Sequence, residues 1–216
     1  YLLLGSMLFL MALIGFYHVM SYKGMPDFLV ANDTANRATT FWIIARLIGG
    51  FGILVSIAMP KKSKLRLNKI LFIIIPILIS LVILNIVTYY PWLIPPMYIE
   101  VQGLTTTKII LEIVVICLYL FCIFFILNLY RNENDNFLIT LSCALLIGVF
   151  SELSFTLYAD VYGIYNFIGH FFKFIMYFII FRVIFIKNVQ QPYRDLSAAH
   201  AEIKNYANNL DKIVAQ

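Results

Sequence analysis

Six ionisable side chains lie inside long apolar stretches of the sequence, where charge is rare. Ionisable groups in such segments cost several kcal/mol unless they are paired or serve a function. Residues three or four apart lie on one side of a helix, so their spacing groups them by face. His170 and Lys173 share a face in this way, and so do Trp42 and Arg46. We predict one ligand-binding site, formed by His18, Tyr22, Trp42, Arg46, Glu112, Glu152, Thr156, His170 and Lys173.

Two kinds of chemistry are open to the charged members of this set. Arg46 and Lys173 can neutralise Glu112 and Glu152 in buried ion pairs, which is the usual fate of charges within a membrane. Alternatively, the two cations bind an anionic or carbonyl-bearing signal, for which the planar guanidinium of arginine is suited. The two arrangements can also alternate, with internal pairs in the empty site and ligand contacts in the filled one.

The histidines leave the question of a cofactor open. Two imidazoles and a carboxylate suit a transition metal, so His18, His170 and Glu152 form a candidate metal site. Two histidines also bind haem iron from opposite sides, although the sequence has no CxxCH attachment motif. Haem or a transition metal therefore remains an alternative cofactor, and a redox sensor an alternative function. No GxSxG, HExxH or phosphate-binding glycine motif is present, and we expect no enzyme activity from these residues.

The elements that carry these residues are six apolar runs. Hydrophobic residues make up 62% of the chain and charged residues 12%, a composition far more apolar than that of a soluble domain. Each run reaches the length of about 20 residues with which a helix crosses a bilayer. Helices are expected because lipid does not tolerate an open sheet edge. We predict an all-α, polytopic bundle of membrane helices over residues 1–20, 38–59, 67–90, 105–130, 137–158 and 164–187.

The loops between the runs differ in charge, and this difference predicts the topology. One short loop holds Lys61, Lys62, Lys64, Arg66 and Lys69. The positive-inside rule makes this loop cytoplasmic, which accounts for the net charge of +5 without a nucleic-acid partner. The C-terminus is then cytoplasmic, and the protein is a multi-pass protein of the cell inner (plasma) membrane. Glu100 falls in an outer loop and is expected to be solvated.

The charges within the runs all lie in the outer half of the predicted bundle, when depth is counted at about 1.5 Å per residue. A transport path needs polar groups along the whole crossing, so this one-sided distribution favours a binding site. A transporter or permease fragment is kept as an alternative.

The last segment of the chain is polar and has a different periodicity. Its apolar residues alternate in spacings of three and four, which is the seam of a coiled coil. The seam consists of Leu196, Ala199, Ile203, Tyr206, Leu210 and Ile213. We predict a membrane-embedded domain over residues 1–190 and a cytoplasmic signalling linker over 191–216, with a homodimer formed through 192–216.

Several short motifs follow one another in a defined order along the chain. They are His18 with Tyr22-Lys23-Gly24-Met25, Trp42 with Ala45-Arg46, Gln102-Gly103-Leu104-Thr105, and Lys108 with Glu112. The longest runs from Ser151 to Tyr158, continues over Asp160–Gly163 and reaches Gly169-His170 and Lys173. In these motifs the chain resembles the membrane-associated sensor (MASE) domains of the third type, over nearly all of residues 1–195.

The resemblance implies a sensory input module of bacterial or archaeal histidine kinases and diguanylate cyclases, with further spans upstream. It implies no particular ligand. The final residues, LDKIVAQ, are similar to linkers that precede histidine-kinase cores. We therefore expect an integral-membrane sensor that binds a small or lipid-soluble signal in its outer half. The last span then relays the signal to a dimeric coiled coil.

Overall fold

The computed structural model describes residues 2–59, 68–133, 135–157 and 163–214. The basic residues between 61 and 66 and residues 158–162 lie outside these ranges. The helices are α1 (Leu2–Met20), α2 (Ala35–Ala58), α3 (Leu71–Tyr89), α4 (Thr106–Glu133), α5 (Asn136–Leu157), α6 (Ile164–Phe185) and α7 (Gln191–Val214).

Six helices in the described residues are long and apolar enough to cross a membrane, and α6 continues without a break into α7. Their bounds lie close to those predicted, because runs that can satisfy backbone hydrogen bonds only internally have to be helical in lipid. The all-α membrane bundle is thereby confirmed. A short antiparallel hairpin, β1 (Tyr98–Ile99) with β2 (Gly103–Leu104), is an addition that the sequence analysis did not predict.

The helices pack as a chain of neighbours. Helix α1 packs against α2 and α3, α2 also contacts α4, and α5 lies between α4 and α6. The core includes the fully buried Val115, Tyr119, Leu145 and Met176. At the contact of α1 with α2, a Cβ added to Gly52 would lie 2.6 Å from the Cβ of Met7. The glycine therefore allows these two helices to approach closely.

At one end of the bundle, the connection between α1 and α2 and the connection between α3 and α4 together form a cap. We call this end of the bundle the capped end. Asn36 accepts hydrogen bonds from the backbone N–H groups of Met97 and Tyr98 at 2.7 and 3.0 Å. Glu100 accepts one from Lys23 Nζ at 2.8 Å and one from the Ala35 N–H at 3.0 Å, in the first turn of α2. The carboxylate thus links both connections to a helix start, while its side chain is 41% exposed, as expected for a solvated Glu100.

The hydrogen bond from Lys23 is the main reason that the pKa of Glu100 is lowered from its ordinary value. A hydrogen bond and a cation beside a carboxylate both favour its charged form.

At the opposite end, α6 passes into α7 through a π-helical turn, Ile186–Gln190. Lys187 in this turn forms an ion pair with Asp135 at 2.7 Å. Asp135 also accepts a hydrogen bond from the Phe137 N–H at 3.0 Å, at the start of α5. The ion pair therefore connects the π turn to α5.

Helix α7 is amphipathic, and its predicted seam faces away from the rest of the chain. Leu196, Ile203 and Tyr206 are 68%, 65% and 63% exposed, and Ala199 is exposed as well. The side chains of Leu210 and Ile213 lie outside the described part of the structure. A single chain therefore leaves the described apolar seam of α7 without a packing partner.

Candidate ligand-binding site

Four aromatic side chains from four helices meet near the capped end, and we call them the aromatic layer: His18 of α1, Trp42 of α2, Phe155 of α5 and His170 of α6. The indole centroid of Trp42 lies 5.0 Å from that of His18 and 4.9 Å from that of His170. The two imidazole centroids are 6.5 Å apart. Phe155 packs edge-on against Trp42 at 4.7 Å and against His170 at 5.0 Å. The predicted meeting of the two histidines at one place is therefore present in the structure.

Backbone carbonyls determine which imidazole nitrogen carries a proton. Nδ1 of His18 lies 2.8 Å from the carbonyl oxygen of Ala38, and Nδ1 of His170 lies 2.8 Å from that of Asn166. A carbonyl oxygen only accepts hydrogen bonds, so Nδ1 is the donor in both rings. Nε2 is then the remaining polar atom of each side chain, and in the neutral imidazole it is an acceptor.

Both imidazoles line a cavity of about 440 Å³ between the capped ends of α1 and α6. Its other walls include Val19, Tyr22 and Phe167. Tyr22 also contacts the His18 ring edge-on at a centroid distance of 6.0 Å. A volume of this size lies within the usual range for small-molecule sites.

Beneath the aromatic layer lie five buried charged groups, which we call the ionic layer: Arg46, Lys108, Glu112, Glu152 and Lys173. Each is at most 5% exposed. Lys173 of α6 forms an ion pair with Glu152 of α5. Lys108 forms an ion pair with Glu112 one turn along α4 at 2.5 Å, and donates to the Phe155 carbonyl at 2.8 Å. The internal pairing considered from the sequence is thus present, but Lys108 rather than Arg46 neutralises Glu112.

Arg46 has no carboxylate partner within the described residues. Its Cζ lies 4.1 Å from the centroid of Trp42 and 5.3 Å from that of Tyr177, so the guanidinium stacks between aromatic rings. Nε and Nη1 are buried without a hydrogen-bond partner in the part of the chain that the structure describes. Oε2 of Glu152 is likewise buried without a hydrogen-bond partner among the described residues. The ionic layer therefore has three cations, two carboxylates and several unused hydrogen-bonding atoms.

The aromatic and ionic layers contain seven of the nine predicted ligand-binding residues, and Tyr22 lies on the cavity wall beside His18. Thr156 is different, because its hydroxyl donates to the Leu153 carbonyl of its own helix at 2.7 Å. Phe155 is directed into the aromatic layer instead. Three further residues of the site were not predicted from the sequence: Lys108, Phe155 and Tyr177. A signal for Lys108 was available in its four-residue spacing from Glu112.

The proposed cofactors do not fit this arrangement. The carboxylate of Glu152 is bound to Lys173, so it does not join His18 and His170 in a metal-binding group. Among the described residues, no group of three or more His, Cys, Asp or Glu side chains is arranged to hold a metal ion. For haem, the indole of Trp42 lies within 5.0 Å of both imidazoles, so a porphyrin bound between the two rings would have to displace this side chain.

Six apolar helices with a buried polar site at one end define a polytopic membrane protein. The membrane-associated sensor domain family MASE3 matches residues 1–192, and the chain belongs to this family. The resemblance that the sequence motifs predicted is confirmed. No curated protein and no solved structure matches the chain.

Proposed function

We propose that this domain is the sensory input module of a signal-transduction protein and binds a small, membrane-soluble signal in the cavity between α1 and α6. One observation carries the proposal: a single side chain, Trp42, contacts both the imidazoles that line the cavity and the buried ionic layer. Its indole centroid lies 5.0 and 4.9 Å from those of His18 and His170, and the guanidinium of Arg46 lies 4.1 Å from the same side chain's ring centroid. A ligand that displaces this ring changes the surroundings of the buried charges.

The buried charges offer two arrangements between which a ligand can select. Lys173 now pairs with Glu152, while Nε and Nη1 of Arg46 and Oε2 of Glu152 have no partner in the described chain. Lys173 Nζ lies 5.7 Å from the Trp42 centroid, so Arg46 and Lys173 both face this indole. In the second arrangement, Arg46 leaves Trp42 and binds Glu152. A ligand shifts the equilibrium only if it prefers one of the two states.

Helix α6 connects this equilibrium to the rest of the protein. Lys173 is part of α6, which continues through the π turn into α7. A change in the Glu152–Lys173 pair moves α6 relative to α5, and the movement reaches α7 as a shift or rotation. The exposed seam of α7 pairs with a second copy, because an isolated helix with one apolar face is marginal in water. The dimer then controls an output domain, for which we favour a histidine kinase over a diguanylate cyclase.

The orientation in the membrane follows from the charges of the loops. The capped end faces outward, and the end with the basic loop and α7 faces the cytoplasm. The protein is then a multi-pass protein of the cell inner membrane, with a membrane domain over residues 1–190 and a linker over 191–216.

The test measures output activity of the full-length protein in native membranes, either autophosphorylation or cyclic dinucleotide synthesis. We expect Trp42→Leu and Lys173→Met to shift basal output, because each alters the balance between the two charge arrangements. Phe174→Leu is the matched control, since this side chain is on α6 beside Lys173 but is 70% exposed. Output that is the same in all three variants and in the parent protein would refute the proposal.

A further inference from the structure

The cavity presents hydrogen-bond acceptors through its two histidines. Nδ1 of each ring donates to a backbone carbonyl, so Nε2 of the neutral imidazole has only a lone pair to offer. Both rings line the cavity. A ligand that satisfies His18 and His170 therefore has to donate hydrogen bonds. A compound whose polar atoms are only carbonyl or ether oxygens would bring lone pairs against lone pairs.

The charge beneath the cavity limits the kind of donor. Among the described residues, the ionic layer contains Arg46, Lys108 and Lys173 against Glu112 and Glu152. One positive charge is in excess when all five are ionised. In a medium of low dielectric constant this excess repels an ammonium group or a metal ion at the histidines. A neutral donor is therefore favoured, and a hydroxyl is the simplest neutral group that donates to an imidazole nitrogen.

The walls and the position of the cavity indicate the body of the ligand. The two imidazoles, Tyr22 and Phe167 present aromatic surfaces to the cavity, which favour a planar ring, and Trp42 packs behind the imidazoles. Val19 and Phe167 are 52% and 68% exposed and belong to helices that cross the membrane. The cavity therefore lies at a lipid-facing seam, and an apolar compound reaches it from the bilayer.

We infer that the cavity binds membrane-soluble phenols, the hydroquinone class included, through a hydroxyl that donates to Nε2 of His18 or His170. This inference rests on the proposed sensory role and names the chemical class of the signal. It has a direct consequence for redox chemistry. A hydroquinone donates hydrogen bonds and is bound, whereas the corresponding quinone only accepts them and is rejected.

The chain contains a built-in probe for this inference. Its only tryptophans are Trp42 and Trp92, and Trp92 lies in the cap at 72% exposure. In a Trp92→Phe variant, tryptophan fluorescence reports on Trp42 alone. The experiment titrates this variant of the 216-residue chain in lipid nanodiscs with 4-butylphenol, and with 4-butylanisole as a control that has one additional methyl group and no hydrogen-bond donor. Excitation at the red edge of the tryptophan band avoids absorption by tyrosine and by the probe.

We expect 4-butylphenol to change the Trp42 fluorescence saturably and to bind about threefold to tenfold more tightly than 4-butylanisole, which is the usual net contribution of one or two hydrogen bonds. His170 is exposed at the cavity, so its replacement leaves the core intact. His170→Phe should reduce the phenol's advantage, and His170→Gln should retain it because the amide oxygen is again an acceptor. Equal affinity for both probes, or an unchanged advantage in His170→Phe, would overturn the inference.

Two outcomes separate this inference from the proposed function. If no phenol binds but Trp42→Leu shifts output, the ligand class is wrong and the sensory role stands. If Zn²⁺ or Cu⁺ changes the Trp42 fluorescence at stoichiometric concentration and neither phenol nor ether does, the site is a metal site and the inference is overturned.

Discussion

Replacement of Glu152 by glutamine should be one of the most destabilising single changes in the membrane bundle. The carboxylate is fully buried and forms an ion pair with Lys173, which is 4% exposed. Removal of one partner leaves the other charge buried without compensation, and this costs about 3–5 kcal/mol in the free energy of unfolding. The substitution keeps the size of the side chain, so the loss is electrostatic.

The surrounding charges make the two halves of this ion pair unequal. Glu152→Gln raises the charge of the ionic layer from one excess cation to two, whereas Lys173→Met brings it to zero. Arg46 Cζ and Lys173 Nζ lie 4.1 and 5.7 Å from the same indole centroid, so they cannot be farther apart than the sum of these distances. At an effective dielectric constant of about 20 their repulsion is then about 2 kcal/mol or more. Glu152→Gln should therefore destabilise the bundle more than Lys173→Met, by a margin of this order.

The assay is reversible unfolding of the domain in mixed micelles, followed by circular dichroism, for the parent, both single variants and Glu152→Gln/Lys173→Met. The double variant should recover most of the loss, because it removes both buried charges. If the Glu152→Gln variant is at least as stable as the Lys173→Met variant, the ionic layer does not carry an excess of positive charge. If the double variant is as unstable as the sum of the singles, the pair does not interact.

Further predictions concern helix contact, the cap and the exit turn. Gly52→Ala should lower stability by about 1–3 kcal/mol, because the new Cβ meets Met7 at 2.6 Å, while Gly15→Ala, with nothing within 4 Å, should be neutral or slightly stabilising in the same unfolding assay. The lowered pKa of Glu100 means that its contribution to stability is present above its unfolded-state pKa of about 4.3 and is lost as the pH falls through the folded value. Between pH 3 and 6 (roughly the window of carboxylate titration), the free energy of unfolding should therefore depend less on pH in Glu100→Gln than in the parent. The same pH dependence in both proteins would contradict a stabilising role of the Glu100 carboxylate in the cap. Lys187→Ala should cost less than about 1 kcal/mol, because both partners of its ion pair are over a quarter exposed, yet it should shift basal output by releasing the π turn from α5.

The helices and most of the site could be predicted from the sequence because lipid simplifies both problems. A run of apolar residues has one way to satisfy its backbone in a bilayer, so the element follows from composition. A charge in such a run has to face the interior, so His18, Arg46, Glu152 and Lys173 could be expected to converge before any packing was known.

Details that depend on packing could not be predicted. Phe155 and Thr156 are neighbours on α5, and the sequence does not decide which of them faces the site. The decision comes from Gly169 of α6, where an added Cβ would lie 2.6 Å from the Phe155 ring. The glycine leaves room for the ring beside His170. The roles of Glu100 and Asn36 in the cap were missed for a similar reason, since their partners come from distant segments of the chain.

The π turn at Ile186–Gln190 has a consequence for chimaeric proteins that join this domain to other outputs. A π turn holds one residue more than an α turn, so it offsets the angular phase of every position after it. Pro192 lies two residues after the turn, and the wider turn accommodates a residue that lacks a backbone N–H. Deletion of one residue from 186–190 would rephase α7 by about 100° against α6. A fusion point placed after Gln191 preserves the natural phase, and fusions made within the turn would produce outputs locked on or off according to the number of residues retained.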